Sequence, residues 1–116
     1  MAMNALIIIN EPPYGNERSY NGLRIARALA AADATVTVFL IADAVNCAKR
    51  GQKVPQGFYN IELMLKSVLR SGAVLACGTC MDARGLADEE LIEGARRSTM
   101  PELAEHIISA DKTLVF

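Results

Sequence analysis

The stretch LACGTCMDARG, Leu75 to Gly85, ends an apolar run and at once brings two cysteines three residues apart, Cys77 and Cys80, with Asp82 and Arg84 close behind. A cysteine pair at this spacing can clip a metal, close a disulfide, cycle as a redox couple or carry sulfur itself. A sulfur nucleophile works as its thiolate, which is favoured beside a cation or the amide groups of a helix N-terminus. Gly78 lets the backbone turn tightly there, and Arg84, seven residues after Cys77, can return its guanidinium toward the sulfur over a short helical turn that Gly85 ends. Asp82 can hold Arg84 or cap that short helix. Against this stands a plainer reading in which Cys77 is a small core residue, since unpaired cysteines are among the most buried side chains.

Four specific readings compete for the pair. Structural zinc needs four ligands, and beyond Cys77 and Cys80 only Cys47 and His106 remain, single and far apart, so no metal site is expected. A thioredoxin-like site also uses CGxC, but there the motif follows an early strand and opens a long helix. Here it lies late in the chain and Gly85 soon interrupts the helical pattern, so dithiol chemistry stays open while the thioredoxin fold fits poorly. A flavin-type site would need a Gly-rich or Ser/Thr-rich phosphate cradle in the first loop, which NEPPYGNERS does not offer, and no cofactor is expected. Sulfur transfer is the fourth reading.

Alternating elements must position these residues. ALIII (Ala5 to Ile9) is apolar without alternation, TVTVFLI (Thr35 to Ile41) is rich in β-branched residues, and AVLAC from residue 73 and TLVF from residue 113 repeat the theme, as in strands of a parallel sheet covered on both faces by helices. Residues 17–31 place Tyr20, Leu23, Ala26, Leu29 and Ala30 on one helical face, and Asp33 and Ala34 turn the chain into the second strand. Residues 58–70 predict a middle helix with Phe58, Ile61, Met64, Leu65, Val68 and Leu69 in one stripe and Glu62, Lys66, Ser67 and Arg70 opposite. Leu63 falls among the polar residues with Tyr59 one turn before it, either as a stray exposed leucine or as a subunit contact. RGQKVPQG, Arg50 to Gly57, reads as a polar loop, ARRS at 95–98 as a short strand, and 101–110 as a last helix with Leu103, Ile107 and Ala110 on one side.

Right-handed crossovers put every strand end on one edge of such a sheet, where ligands gather at the crevice in which strand order reverses. With the common 2-1-3 order, the first loop would face CGTC across that crevice, with Glu11 and Tyr14 lining it or simply solvated. His106, at the edge of an apolar helix face, reads as structural, Cys47 as an unpaired and partly buried thiol in the second loop, and Arg18, Arg24 and Arg27 as a hydrated helix face.

The 116 residues are read as one domain, 1–116, long enough to bury roughly two thirds of the surface its unfolded chain exposes. Twelve basic and 13 acidic residues nearly cancel, so no field exists to hold nucleic acid directly. No apolar run reaches the roughly 18 residues that span a bilayer, and no signal segment is visible, so a cytoplasmic protein without membrane contact is expected. An odd number of cysteines, three, also argues against a secreted disulfide framework. A hydrophobic content of 52% and a mean hydropathy of +0.21 suggest that some apolar surface is buried between subunits.

PPYGNERSYNGLRIA after the first strand, DAVNCAKRGQK after the second, GFYNIELML in the middle helix, CGTCMDARG after the third strand and SADKTLVF at the end occur in order over almost the whole chain. Together they resemble the DsrE/DsrF family, in particular its YchN-like branch. The resemblance implies a three-layer α/β sandwich of flavodoxin-like character, with a mostly parallel sheet of about five strands, and assembly as trimers or hexamers. It also implies sulfur-relay chemistry of the TusD kind, with persulfide donor and acceptor proteins as partners and thiouridine formation in tRNA or sulfur oxidation as pathways. The relay cysteine falls on Cys77, followed by Arg84 and Gly85 as in the related motif, and would accept sulfane sulfur as a persulfide. Relay subunits need one cysteine, whereas this chain adds Cys80, which could attack the persulfide and release sulfide, leaving a disulfide. A small thiol-disulfide oxidoreductase using Cys77 and Cys80, and a noncatalytic small-ligand or regulatory oligomer, are the alternatives.

Overall fold

The computed structural model describes residues 2–116. These form strands β1 (Asn4–Ile9), β2 (Thr35–Leu40), β3 (Ala73–Cys77), β4 (Arg96–Ser98) and β5 (Lys112–Val115), and α-helices α1 (Arg18–Ala31), α2 (Ile61–Leu69), α3 (Gly78–Ala83) and α4 (Met100–Ser109). A 3-10 helix, Ala42–Ala48, follows β2, and a shorter one, Asp88–Glu90, precedes β4. All strand pairs are parallel, in the order β4-β3-β2-β1-β5. Ala5 to Ile9 and Val38 to Leu40 are buried without alternation, which requires cover on both faces of the sheet.

The 2-1-3 order does not occur, because β2 lies between β1 and β3. From β1 to β4 the chain steps steadily one way across the sheet, and from β4 to β5 it returns past β1. With crossovers of one hand, α1, α2 and α3 fall on one face and α4 on the other, giving three layers. The loop after β3 therefore leaves toward one face and the loop after β4 toward the other. The topological switch point lies between β3 and β4, so Cys77 is at the switch, opposite a different strand from the one expected.

Local chemistry sets the element ends. The Asn16 side-chain carbonyl accepts the Arg18 N–H at 2.9 Å as α1 begins, and Asp33 at φ 70° reverses the chain after it. Asn60 caps α2 by accepting the Leu63 N–H at 3.1 Å, so the helix starts at Ile61, not at Phe58. Phe58 is outside the helix and 70% exposed, whereas Ile61, Met64, Leu65 and Val68 are buried. Glu62, which helical spacing puts among the polar residues, is buried too. Its Oε1 accepts from Gly51 N–H at 3.0 Å and Gln52 N–H at 2.8 Å, tying down the polar loop, and Lys66 lies 3.3 Å from its other oxygen. β5 departs from the expectation of covered strands: it is a sheet edge paired only with β1, and all four of its residues are exposed. In α4 Leu103 is buried, while Ile107 and Ile108 face outward.

Candidate functional site

Cys77 is the last residue of β3 and the cap of α3, passing from strand to helix at φ −59° and ψ 117°. Its backbone partner across the switch point is Ser98 of β4. The side chain is 4% exposed. Cys80, in the first turn of α3 and three residues beyond Cys77, is half-buried. All three cysteines are free thiols. The Cys80 sulfur also accepts the N–H of Ala42 at 3.2 Å. The loop after β2 therefore reaches the CGTC segment, as strand adjacency dictates.

Burial pushes the Cys77 thiol above its ordinary value, and the Cys80 side chain adds to the shift. The backbone amides of Cys80 and Thr79 pull the other way and are outweighed. Arg84 does not reverse this, because its guanidinium is not turned to the Cys77 sulfur. Nε and Nη2 both reach Asp43 Oδ1 at 2.8 Å, and Nη1 donates to the Cys80 carbonyl at 3.1 Å. Asp82 neither holds Arg84 nor caps α3; it accepts from Arg97 Nη1 at 3.0 Å. Gly85, at φ 63°, ends α3 where expected.

Arg97 is the residue that reading from sequence missed. From the middle of β4 it donates to the Gly78 carbonyl at 3.1 Å, to Asp82, and through Nε to Asp88 at 2.8 Å. Gly78 is needed for room: a Cβ there would lie 2.9 Å from Arg97 Cγ and 3.0 Å from Nη1. Tight turning is not the reason, for Gly78 takes an ordinary helical place in α3. Strand alternation sends Arg97 to the α3 face and its neighbours Arg96 and Ser98 to the opposite face, where both bind Glu102 of α4. The signal for Arg97 was the short strand ARRS following CGTC, which makes β4 the neighbour of β3 once the crossovers are laid in order.

Glu11 and Tyr14 belong to the loop after β1, which β2 separates from Cys77. Glu11 receives a hydrogen bond from Asn16 at 3.3 Å and lies 4.0 Å from Arg18. The Tyr14 hydroxyl donates to Gln52 Oε1 at 2.6 Å and accepts the Ile61 N–H at 3.0 Å. Its ring belongs to a stack in which Tyr59 is 5.6 Å from Tyr14 and 4.0 Å from Tyr20. Cys47 is fully buried in the Ala42–Ala48 helix, not partly exposed, and burial pushes its thiol up to about 12. His106 is half-buried in the last turn of α4. Among the described residues no group of three or more His, Cys, Asp or Glu is placed to hold a metal ion, and no helix is long and apolar enough to cross a membrane.

An all-parallel five-stranded sheet covered by helices, with a paired-cysteine turn at its switch point, defines an α/β class of domain, and residues 3–116 match the model of the DsrE/DsrF-like family. The chain belongs to that family. It is 41% identical over 114 residues to protein YchN of Escherichia coli, covering 96% of this chain and 97% of YchN. An uncharacterized protein of Methanocaldococcus jannaschii is 39% identical over 115 residues, with 98% and 100% covered. The crystal structure of the E. coli YchN protein superposes with a TM-score of 0.90 over 98% of this chain and 99% of that one. A protein of unknown function from Methanobacterium thermoautotrophicum shares the fold at a TM-score of 0.80 and 16% identity, covering 98% and 99%.

Proposed function

We propose that the protein accepts sulfane sulfur on Cys77, as a cytoplasmic carrier of the persulfide type. The observation that carries this reading is the placement of Cys77 at the β3 end beside the β4 switch crevice, in a DsrE/DsrF-like chain, with Cys80 in the helical turn that follows. The Cys77 thiolate attacks the outer sulfur of a donor persulfide, RS–SH; the S–S bond of the donor breaks, RS⁻ leaves, and Cys77–S–SH forms. Asp82, Arg84, Arg97 and Gly78 hold the turn in shape. The placement of both cysteines in one short helical turn also supports a second reading, a thiol-disulfide oxidoreductase using Cys77 and Cys80.

Intact-protein mass spectrometry after exposure to glutathione persulfide separates the two. The carrier reading expects a gain of one sulfur mass that survives Cys80→Ser and disappears in Cys77→Ser. A loss of two hydrogens that needs both cysteines, with no gain in Cys80→Ser, supports the redox reading instead.

We further propose that copies of this chain assemble, with persulfide donor and acceptor proteins meeting the assembly. The outer edge of α4 and β5 supports this, since Ile108 is 84% and Val115 63% exposed there. Leu63, exposed on α2, offers a competing face. Light scattering on Ile108→Glu and Leu63→Glu distinguishes them: a lower mass marks the interface, and unchanged mass in both argues against assembly through either.

A further inference from the structure

We propose that the site also discharges its sulfur, with Cys80 attacking the persulfide on Cys77 and the Arg84–Asp43 pair acting as the clamp that positions Cys80 for this step. The inference rests on the reading of Cys77 as carrier.

Three independent constraints converge on Cys80. Cys80 stands three residues on, in the first turn of the helix that Cys77 caps, so the attacking group is held near the persulfide by the helix itself. The Ala42 N–H donates to the Cys80 sulfur at 3.2 Å, and such a hydrogen bond strengthens when its acceptor carries charge. Ala42 stands at φ 56°, a left-handed conformation that side chains beyond glycine and asparagine seldom adopt, and the departure occurs where the amide meets the sulfur. One guanidinium then closes the ring. Arg84 joins Asp43, the residue after Ala42, to the carbonyl of Cys80 itself, fixing both ends of the N–H···S contact. Ion pairs as exposed as this one contribute little to stability, so its effect is expected in position rather than in folding.

The chemistry balances without any cofactor. Cys80–S⁻ attacks the inner sulfur of Cys77–S–SH, HS⁻ leaves, and a Cys77–Cys80 disulfide forms; the outer sulfur is reduced to sulfide, the Cys80 sulfur is oxidised, and the Cys77 sulfur stays at the disulfide level it reached on loading. Two low-molecular-weight thiols then reduce the disulfide, giving RSSR and restoring both cysteines. The sum is RSSH + RSH → H₂S + RSSR, a thiol-dependent persulfide reduction.

The test loads the protein with glutathione persulfide, removes excess donor, and follows bound sulfur by mass spectrometry alongside released sulfide. Wild type is expected to release its bound sulfur as sulfide and end two hydrogens lighter, whereas Cys80→Ser retains it. Arg84→Ala and Asp43→Asn should slow discharge relative to loading on the order of tenfold, as expected for a displaced attacking group, with Arg84→Lys intermediate and thermal unfolding little changed. Wild-type sulfur persisting as long as in Cys80→Ser would overturn discharge while leaving the carrier reading intact. Discharge in both clamp variants at the wild-type ratio would overturn the role of Arg84 and Asp43. Absence of any adduct in Cys80→Ser overturns the carrier reading and the inference together.

Discussion

The Arg97 guanidinium donates to the Gly78 carbonyl at 3.1 Å, and the arginine stem occupies the space that a side chain at position 78 would need. Gly78→Ala drives a methyl group into Arg97 Cγ, near the root of the chain, where it cannot swing away as a tip would. The expected cost is about 1–3 kcal/mol, as for other overpacked sites. In Gly78→Ala/Arg97→Ala the methyl has room, so the double variant should be more stable than the sum of the single effects implies. Urea denaturation of the four proteins measures this, and strict additivity would contradict the account.

The Cys80 side chain raises the Cys77 thiol through a hydrogen bond and through charge. Removing it in Cys80→Ala takes away both contributions, so Cys77 alkylation by iodoacetamide should reach its plateau at lower pH than in the wild type. The wild-type curve belongs to the coupled pair. A shift to higher pH in the variant contradicts the assignment.

Much of this arrangement was legible in the sequence because parallel strands announce themselves as unbroken apolar runs. AVLAC ended where β3 ends, at Cys77, and the last helix and short strand fell near their observed bounds. Strand order was not legible, since sequence does not say which crossover reverses direction, and that placed the crevice beside β1 instead of β4. The charges near the cysteines were found but mispaired. Arg84 and Asp82 were close in the chain, yet α3 points them to separate partners, Asp43 and Arg97, supplied by segments distant in sequence. Glu62 was misread for the same reason, as helical spacing reports no amides arriving from a loop.

Glu102 ties β4 to α4. Hydrogen bonds from Arg96, and then from Ser98, hold its carboxyl at about 2, below the ordinary 4.5. A carboxyl lowered on folding contributes stability above its unfolded value and loses that contribution as the pH falls through the folded one. Stability should therefore decline between about pH 4.5 and 2 more steeply in the wild type than in Glu102→Gln. Thermal unfolding across that window gives the comparison, and equal slopes would count against the assignment.

Cys47 is fully buried and its thiol, pushed up to about 12, stays protonated at neutral pH. Dithionitrobenzoate should leave it unlabelled in the folded protein and label it after denaturation. Fast native labelling that disappears in Cys47→Ser would contradict its place in the core.

Localisation of the bound sulfur bears most directly on the central claim. Cys80→Ser, loaded with glutathione persulfide, is cleaved with trypsin and the segment 71–84 is fragmented by mass spectrometry. The account predicts one added sulfur on Cys77. Added sulfur found only on Cys47, or none anywhere on the chain, would contradict it.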